Sequence, residues 1–145
     1  MEFSIKHGDI KLTVEVLRRP YPRGDAWSRT FVEAAVRANL PGFTANVRGH
    51  LGILDLIDFR SALGTVNDTL TGTANLATLD PLLGLGLSVD HLGHLIWNVA
   101  VVDPARAYPA QLSFRFESDQ TYLPSILSQI DAVLAAYPVM PQGGS

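Results

Sequence analysis

Asp90-His-Leu-Gly-His94 brings two imidazoles and a carboxylate within five positions, the nearest approach this chain makes to a metal-ligand set. A helix-borne zinc pair needs its histidines one turn apart. This segment instead lies between two apolar runs and reads as a hairpin turn, in which the rings need not converge. No third ligand stands nearby, so no metal and no cofactor are assigned. Asp90 and Gly93 are expected to shape the turn, with His91 and His94 at its surface. Gly84-Leu-Gly86 lacks the third glycine and the following helix that phosphate recognition requires. Asp55 and Asp58, three apart on one helix face, have no apolar surroundings to raise a carboxyl pKa and read as solvated. Ser61, Ser88 and Ser113 lack a nucleophile elbow, and His7 and His50 are isolated. No catalytic residue emerges, and the chain is expected not to be an enzyme.

Arg18-Arg-Pro-Tyr-Pro-Arg-Gly-Asp25 and Trp27 form a different kind of cluster. Arg, Tyr and Trp are the residues enriched at protein–protein hot spots. Arg19, Tyr21, Arg23 and Trp27 are therefore candidate partner-binding residues, together with Asp90, His91 and His94. Trp27 has a competing role as a core anchor.

Composition narrows the partner. The 145 residues carry a formal charge of −3, which disfavours phosphate-backbone binding, so no nucleic acid is expected. Only 17% are charged, leaving uncharged surface for a second chain. There is no cysteine, which excludes thiol chemistry. The first residues lack a basic segment followed by an apolar core, so they do not read as a secretory signal. No apolar run approaches the roughly 20 residues of a membrane span, and a cytoplasmic location is expected.

The elements follow from periodicity. Leu112-Ser-Phe-Arg-Phe-Glu117 alternates like a strand with one buried face, while Leu123, Ile126, Leu127, Ile130, Val133, Leu134 and Tyr137 line one face of a helix. That stripe needs a sheet to cover. Phe3–Ile5 and Ile10–Leu17 read as a hairpin around His7-Gly8-Asp9, with Ile10, Leu12, Val14 and Val16 inward. Trp27 to Asn39 is assigned as strand on β propensity, although Phe31, Ala34, Ala35 and Ala38 also suit a helix, which would make the fold three-helical. Leu40-Pro-Gly42 turns into a strand from Phe43 to Arg48. The first helix is expected over Ile53 to Leu63, with Ile53, Leu56, Ile57, Phe59 and Leu63 inward, ended by Gly64. Val66 to Leu70 is a link.

Strands are then expected at 71–78, 83–89 and 95–102, with a turn at Asp80-Pro81. Gly84, Gly86 and Ser88 form a flat stripe opposite leucines. The favoured use of that stripe is internal, as a seat for the first helix; the alternative is close approach of another molecule. Residues 95–102 are apolar on both faces, as in a central strand covered on two sides. The expected fold is α+β: a mainly antiparallel sheet of about eight strands and two helices, in the order ββββαββββα, with the C-terminal amphipathic helix packed on the sheet. Residues 1–137 are expected to form a single domain, and 138–145 a flexible tail.

Gly8-Asp-Ile-Lys-Leu-Thr-Val14, Phe43 to Val47, Leu56 to Leu63, Asp90-His-Leu-Gly-His-Leu95 and Phe114 to Leu123 together resemble the WapI-type bacterial immunity proteins and related uncharacterised bacterial domains. The resemblance implies a non-enzymatic protein that binds a cognate toxin and blocks it. It transfers no functional residue by position. A second reading is a small-molecule binder with its pocket between the sheet and the C-terminal helix. A third is a hydrolase or metalloenzyme built on His91 and His94. Either terminal edge strand is also compatible with a homodimer.

Overall fold

The computed structural model describes residues 1–78 and 81–139. Its strands are β1 (Glu2–His7), β2 (Ile10–Arg18), β3 (Phe31–Leu40), β4 (Phe43–Gly52), β5 (Thr73–Ala77), β6 (Leu83–Val89), β7 (Leu95–Val102) and β8 (Gln111–Ser118). Helix α1 (Ile53–Thr69) follows β4, and α2 (Leu123–Ala136) closes the chain. The expected order ββββαββββα is thus observed, but the strands divide into two antiparallel sheets, β1-β2-β3-β4 and β5-β6-β7-β8.

Tight turns set the register. Gly8 (φ 59°) serves the β1–β2 hairpin, where His7 faces Ile10, and Pro41-Gly42 (Gly42 φ 82°) joins Leu40 to Phe43. The alternation then puts Phe3, Ile5, Leu12, Val14, Val16, Val32 and Val36 in the core from the first sheet, and Leu76, Leu85, Leu87, Trp97, Val99 and Phe116 from the second. Both helices fill the same core, through Leu56, Phe59, Leu63 and Val66 of α1 and Leu123, Ile126, Ile130 and Val133 of α2. Helix α2 packs on β1 and α1, and α1 packs on β5. The α2 stripe is seated as its spacing requires, with Leu134 and Tyr137 half-buried at its end. Gln129 of α2 accepts a 2.9 Å hydrogen bond from the Ser4 N–H of β1, so part of this sheet edge is occupied. The α2 stripe itself is packed into the core, and beside it a shallow groove of about 310 Å³ lies between β1–β2 and α2, lined by Ser4, Lys6, Lys11, Tyr122, Ser125, Ile126 and Gln129, at the place where the small-molecule reading puts its pocket.

Four expectations need correction. Residues Ser28–Thr30 form a 3-10 turn, and the strand begins at Phe31. The Asp25 carboxylate accepts from the Ser28 N–H at 2.7 Å, and the Trp27 carbonyl from both Thr30 N–H and hydroxyl. These local bonds compete with a ladder. Helix α1 runs past Gly64 to Thr69, because Val66 continues its buried face; Leu70 takes the left-handed conformation that ends it (φ 54°). Gly64 has another use. A side chain there would come within 2.7 Å of the Arg60 guanidinium, which reaches across to α2 and grips the Asp131 carboxylate at 2.7 and 3.1 Å. Ile57 is turned outward, 38% exposed. Finally, β7 buries only Leu95, Trp97, Val99 and Val101; Asn98 faces solvent and Ile96, Ala100 and Val102 are half-exposed. The expected flexible tail falls outside the described residues from 140 onward, as does Asp80 of the expected turn. Among the described residues no helix is long and apolar enough to cross a membrane.

Candidate functional site

The outer face of the second sheet carries a groove of about 630 Å³, floored by the backbone of β6 and β7. Its rows follow from the register. Ala77, Gly84, Ala100 and Ser113 lie side by side across all four strands, and Asn75, Gly86, Asn98 and Arg115 form the next row. One row therefore bears nothing larger than serine, while its neighbour ends in two carboxamides and a guanidinium. Asn75, Asn98 and Arg115 are exposed and make no side-chain hydrogen bond or ion pair among the described residues. The glycine stripe expected to seat α1 faces this groove instead. Helix α1 lies on β5 and α2, and among the described residues no layer covers the glycines on the second sheet's outer face. Sequence reasoning missed Asn75, Asn98 and Arg115. Their signal was there in the strict alternation, which sets all three opposite the core residues of their strands.

One row further along the same face, Glu117 extends toward the β6–β7 turn. The His94 Nδ1 lies 2.9 Å from Glu117 Oε1 and 3.3 Å from Asp90 Oδ2. The turn itself is built as the sequence implied. Asp90 Oδ1 accepts the N–H groups of Leu92 and His94 at 2.9 Å each, and Gly93 (φ 84°) closes it. The His94 N–H is the main cause that holds the Asp90 carboxyl below its ordinary range, with the Leu92 N–H and the His94 ring adding to it. Glu117 is the third group that local sequence did not offer: it arrives from β8, whose pairing sets it opposite Ile96. Asp90, His94 and Glu117 could together present ligand atoms to a cation. They stand half in solvent, and His91 is exposed outside the trio.

The other candidates sit elsewhere. Arg19 is engaged within the fold: it donates to the Arg29 carbonyl at 3.0 Å and to the Pro138 carbonyl, and lies 5.8 Å from the Tyr137 ring centre. It pins the end of α2 to the loop. Tyr21 (48% exposed) leans on His50 of β4, and Trp27 (59% exposed) meets Phe31 edge-on at 5.1 Å. Trp27 is thus not a core anchor. Arg23 is exposed. The structure places Tyr21 against the first sheet, through His50, and Asp90, His91 and His94 at the tip of a second-sheet hairpin.

A family model for the WapI-like immunity proteins matches residues 3–138. The chain belongs to the WapI-like immunity protein family. No curated protein matches it. Among solved structures, one of a guide-RNA-binding protein complex bound to a gRNA is similar over 92% of this chain and 89% of that one, at 12% identity and a TM-score of 0.50. Crystal structures of Trypanosoma bruciei MRP1/MRP2 are similar over 94% of this chain and 86% of theirs, at 14% identity and a TM-score of 0.47. At such identity the likeness to the guide-RNA-binding protein is one of fold. Membership in the WapI-like family agrees with the resemblance carried by the turn glycines and spaced apolar positions.

Proposed function

We propose that this chain is a non-enzymatic immunity protein that binds a cognate protein toxin in the cytoplasm and neutralises it. The observation that carries this reading is the family match over residues 3–138. The surface supports it: Tyr21, Arg23 and Trp27 are exposed aromatic and basic side chains of one loop, and His91 and His94 are exposed at a hairpin turn with the half-buried Asp90. Arg19, half-buried in the loop of Tyr21 and Arg23, is held by the Arg29 and Pro138 carbonyls. Residues 1–137 act as one domain in this reading, and a homodimer is compatible with the exposed strand β4.

The RNA bound by the guide-RNA-binding protein is not carried over. The net charge is −3, and on the first sheet Arg37 is neutralised by Glu15 at 2.9 Å and Glu2 at 3.2 Å. Phosphate-backbone binding needs a surplus of cations. The experiment is co-expression with a toxin domain, where a neighbouring reading frame encodes one. Growth restored by this chain supports the reading; continued killing beside a soluble, folded chain removes it.

A further inference from the structure

We propose that the groove over Gly84 and Gly86 receives an aromatic side chain of the protein partner, with a neighbouring carboxylate of that partner held by Arg115. The proposal rests on the protein-binding reading above and names the surface and its chemistry.

The first observation is that, among the described residues, no backbone atom closer than 3.8 Å requires these glycines. Neither has the positive φ that favours glycine. A side chain at Gly84 would meet only the Ala100 methyl, at 3.8 Å, which is ordinary contact. At Gly86 it would meet the Asn75 carboxamide oxygen at 3.0 Å, the movable end of a flexible side chain. Strand glycines cost stability, so two without an internal partner leave the backbone bare for a molecule from outside.

The second observation is the chemistry of the walls. Asn75, Asn98 and Arg115 stand along one side of the bare row, all planar groups and all unengaged among the described residues. Among the described residues, Arg115 is the one charged side chain lining the groove. A guanidinium stacks on an aromatic ring and binds a carboxylate in bidentate fashion, and an aromatic ring laid over strand glycines restores the cover they lack. The cavity, about 630 Å³, is roomy enough for such a ring and its neighbours. Glu117, one row beyond Arg115, is outside the groove lining and paired with His94 at 2.9 Å, so the cation inside the groove is left to meet an acidic segment.

The test uses the intact chain, with Gly84→Val and Arg115→Gln variants, against three probes: the cognate toxin domain found by co-expression, the dipeptide N-acetyl-Glu-Trp-amide, and a single-stranded uridine oligonucleotide. Gly84→Val is expected to weaken toxin binding about thirtyfold, the scale of a hot-spot loss, while remaining folded. Arg115→Gln is expected to weaken it about tenfold and to flatten its salt dependence. In amide NMR the dipeptide at millimolar concentration is expected to shift Gly84, Gly86 and Asn98 in wild type only. Unchanged toxin affinity in both variants would overturn the groove assignment and leave the immunity reading standing. A chain that ignores the toxin yet binds the dipeptide at these glycines keeps the groove and loses the immunity reading. No response to either probe removes both. Oligonucleotide binding that Gly84→Val abolishes would overturn the assignment of a protein partner. Arg115, exposed and outside the core, supplies the decision should Gly84→Val fail to fold.

Discussion

Replacing Gly84 by alanine should stabilise the protein. Its backbone already has a conformation open to any residue, and the added methyl would rest 3.8 Å from the Ala100 methyl of β7. The unfolded chain loses freedom and the strand gains a cross-strand contact, together worth about 0.5–1 kcal/mol. In a chain of this length that raises the Tm by about 2–4 °C. Gly86→Ala should gain less, since its methyl must first displace the Asn75 carboxamide, 3.0 Å away. Gly42→Ala is the control: with φ at 82° it needs a left-handed backbone, and its Tm should fall. Scanning calorimetry on the three variants reads all of this. A Gly84→Ala variant melting below wild type by more than about 2 °C would mean that the fold itself requires the glycine, and the case for a surface kept bare for a partner would collapse.

Ile130→Ala should cost about 2–5 kcal/mol in urea unfolding, because this fully buried residue lies in the middle of the stripe that seats α2; a cost under about 1 kcal/mol would show the helix to be loosely held. Trp97→Phe removes the indole N–H that donates to the buried Ser118 hydroxyl at 2.9 Å, and a loss of about 2–3 kcal/mol is expected, with an unchanged melting curve contradicting it. Asp90 has its folded pKa lowered from 3.8. The stabilisation it supplies is therefore complete above that value and is lost as pH falls through the folded pKa. The stability gap between wild type and Asp90→Ala should narrow below pH 3.8, and a gap that widens there would overturn the account of the turn.

Much of the architecture was legible because its signals are local. The hairpin turns at Gly8 and Pro41-Gly42, the alternation of 83–89 and 95–102, and the stripe from Leu123 to Tyr137 each declare an element through short-range chemistry. Those signals failed where a distant partner decides. Gly64 looks like a helix end, yet the buried contact of Val66 carries the helix on and Arg60 uses the space to reach Asp131. The division into two sheets depends on α1 separating the two meanders, which no period in the sequence reports. The groove was hidden for a related reason. Alternation told which residues share a face, and so gathered Gly84 with Gly86, but not which face another layer covers. Asn75, Asn98 and Arg115 became neighbours only once four strands were in register. The loop candidates illustrate the converse: Arg19 has the residue type of a hot spot, but its guanidinium is spent on the Arg29 and Pro138 carbonyls.

Neutralisation by direct occupancy is the claim on which the functional account stands. Hydrogen exchange on the purified complex with the cognate toxin domain addresses it peptide by peptide. The account calls for a stoichiometric complex that silences the toxin and slows exchange in 73–77, 83–89, 95–102 and 111–118 relative to the free chain. A toxin left active by an equimolar amount of folded chain would contradict it, and a silenced toxin with exchange in those strands unchanged would contradict the groove assignment alone.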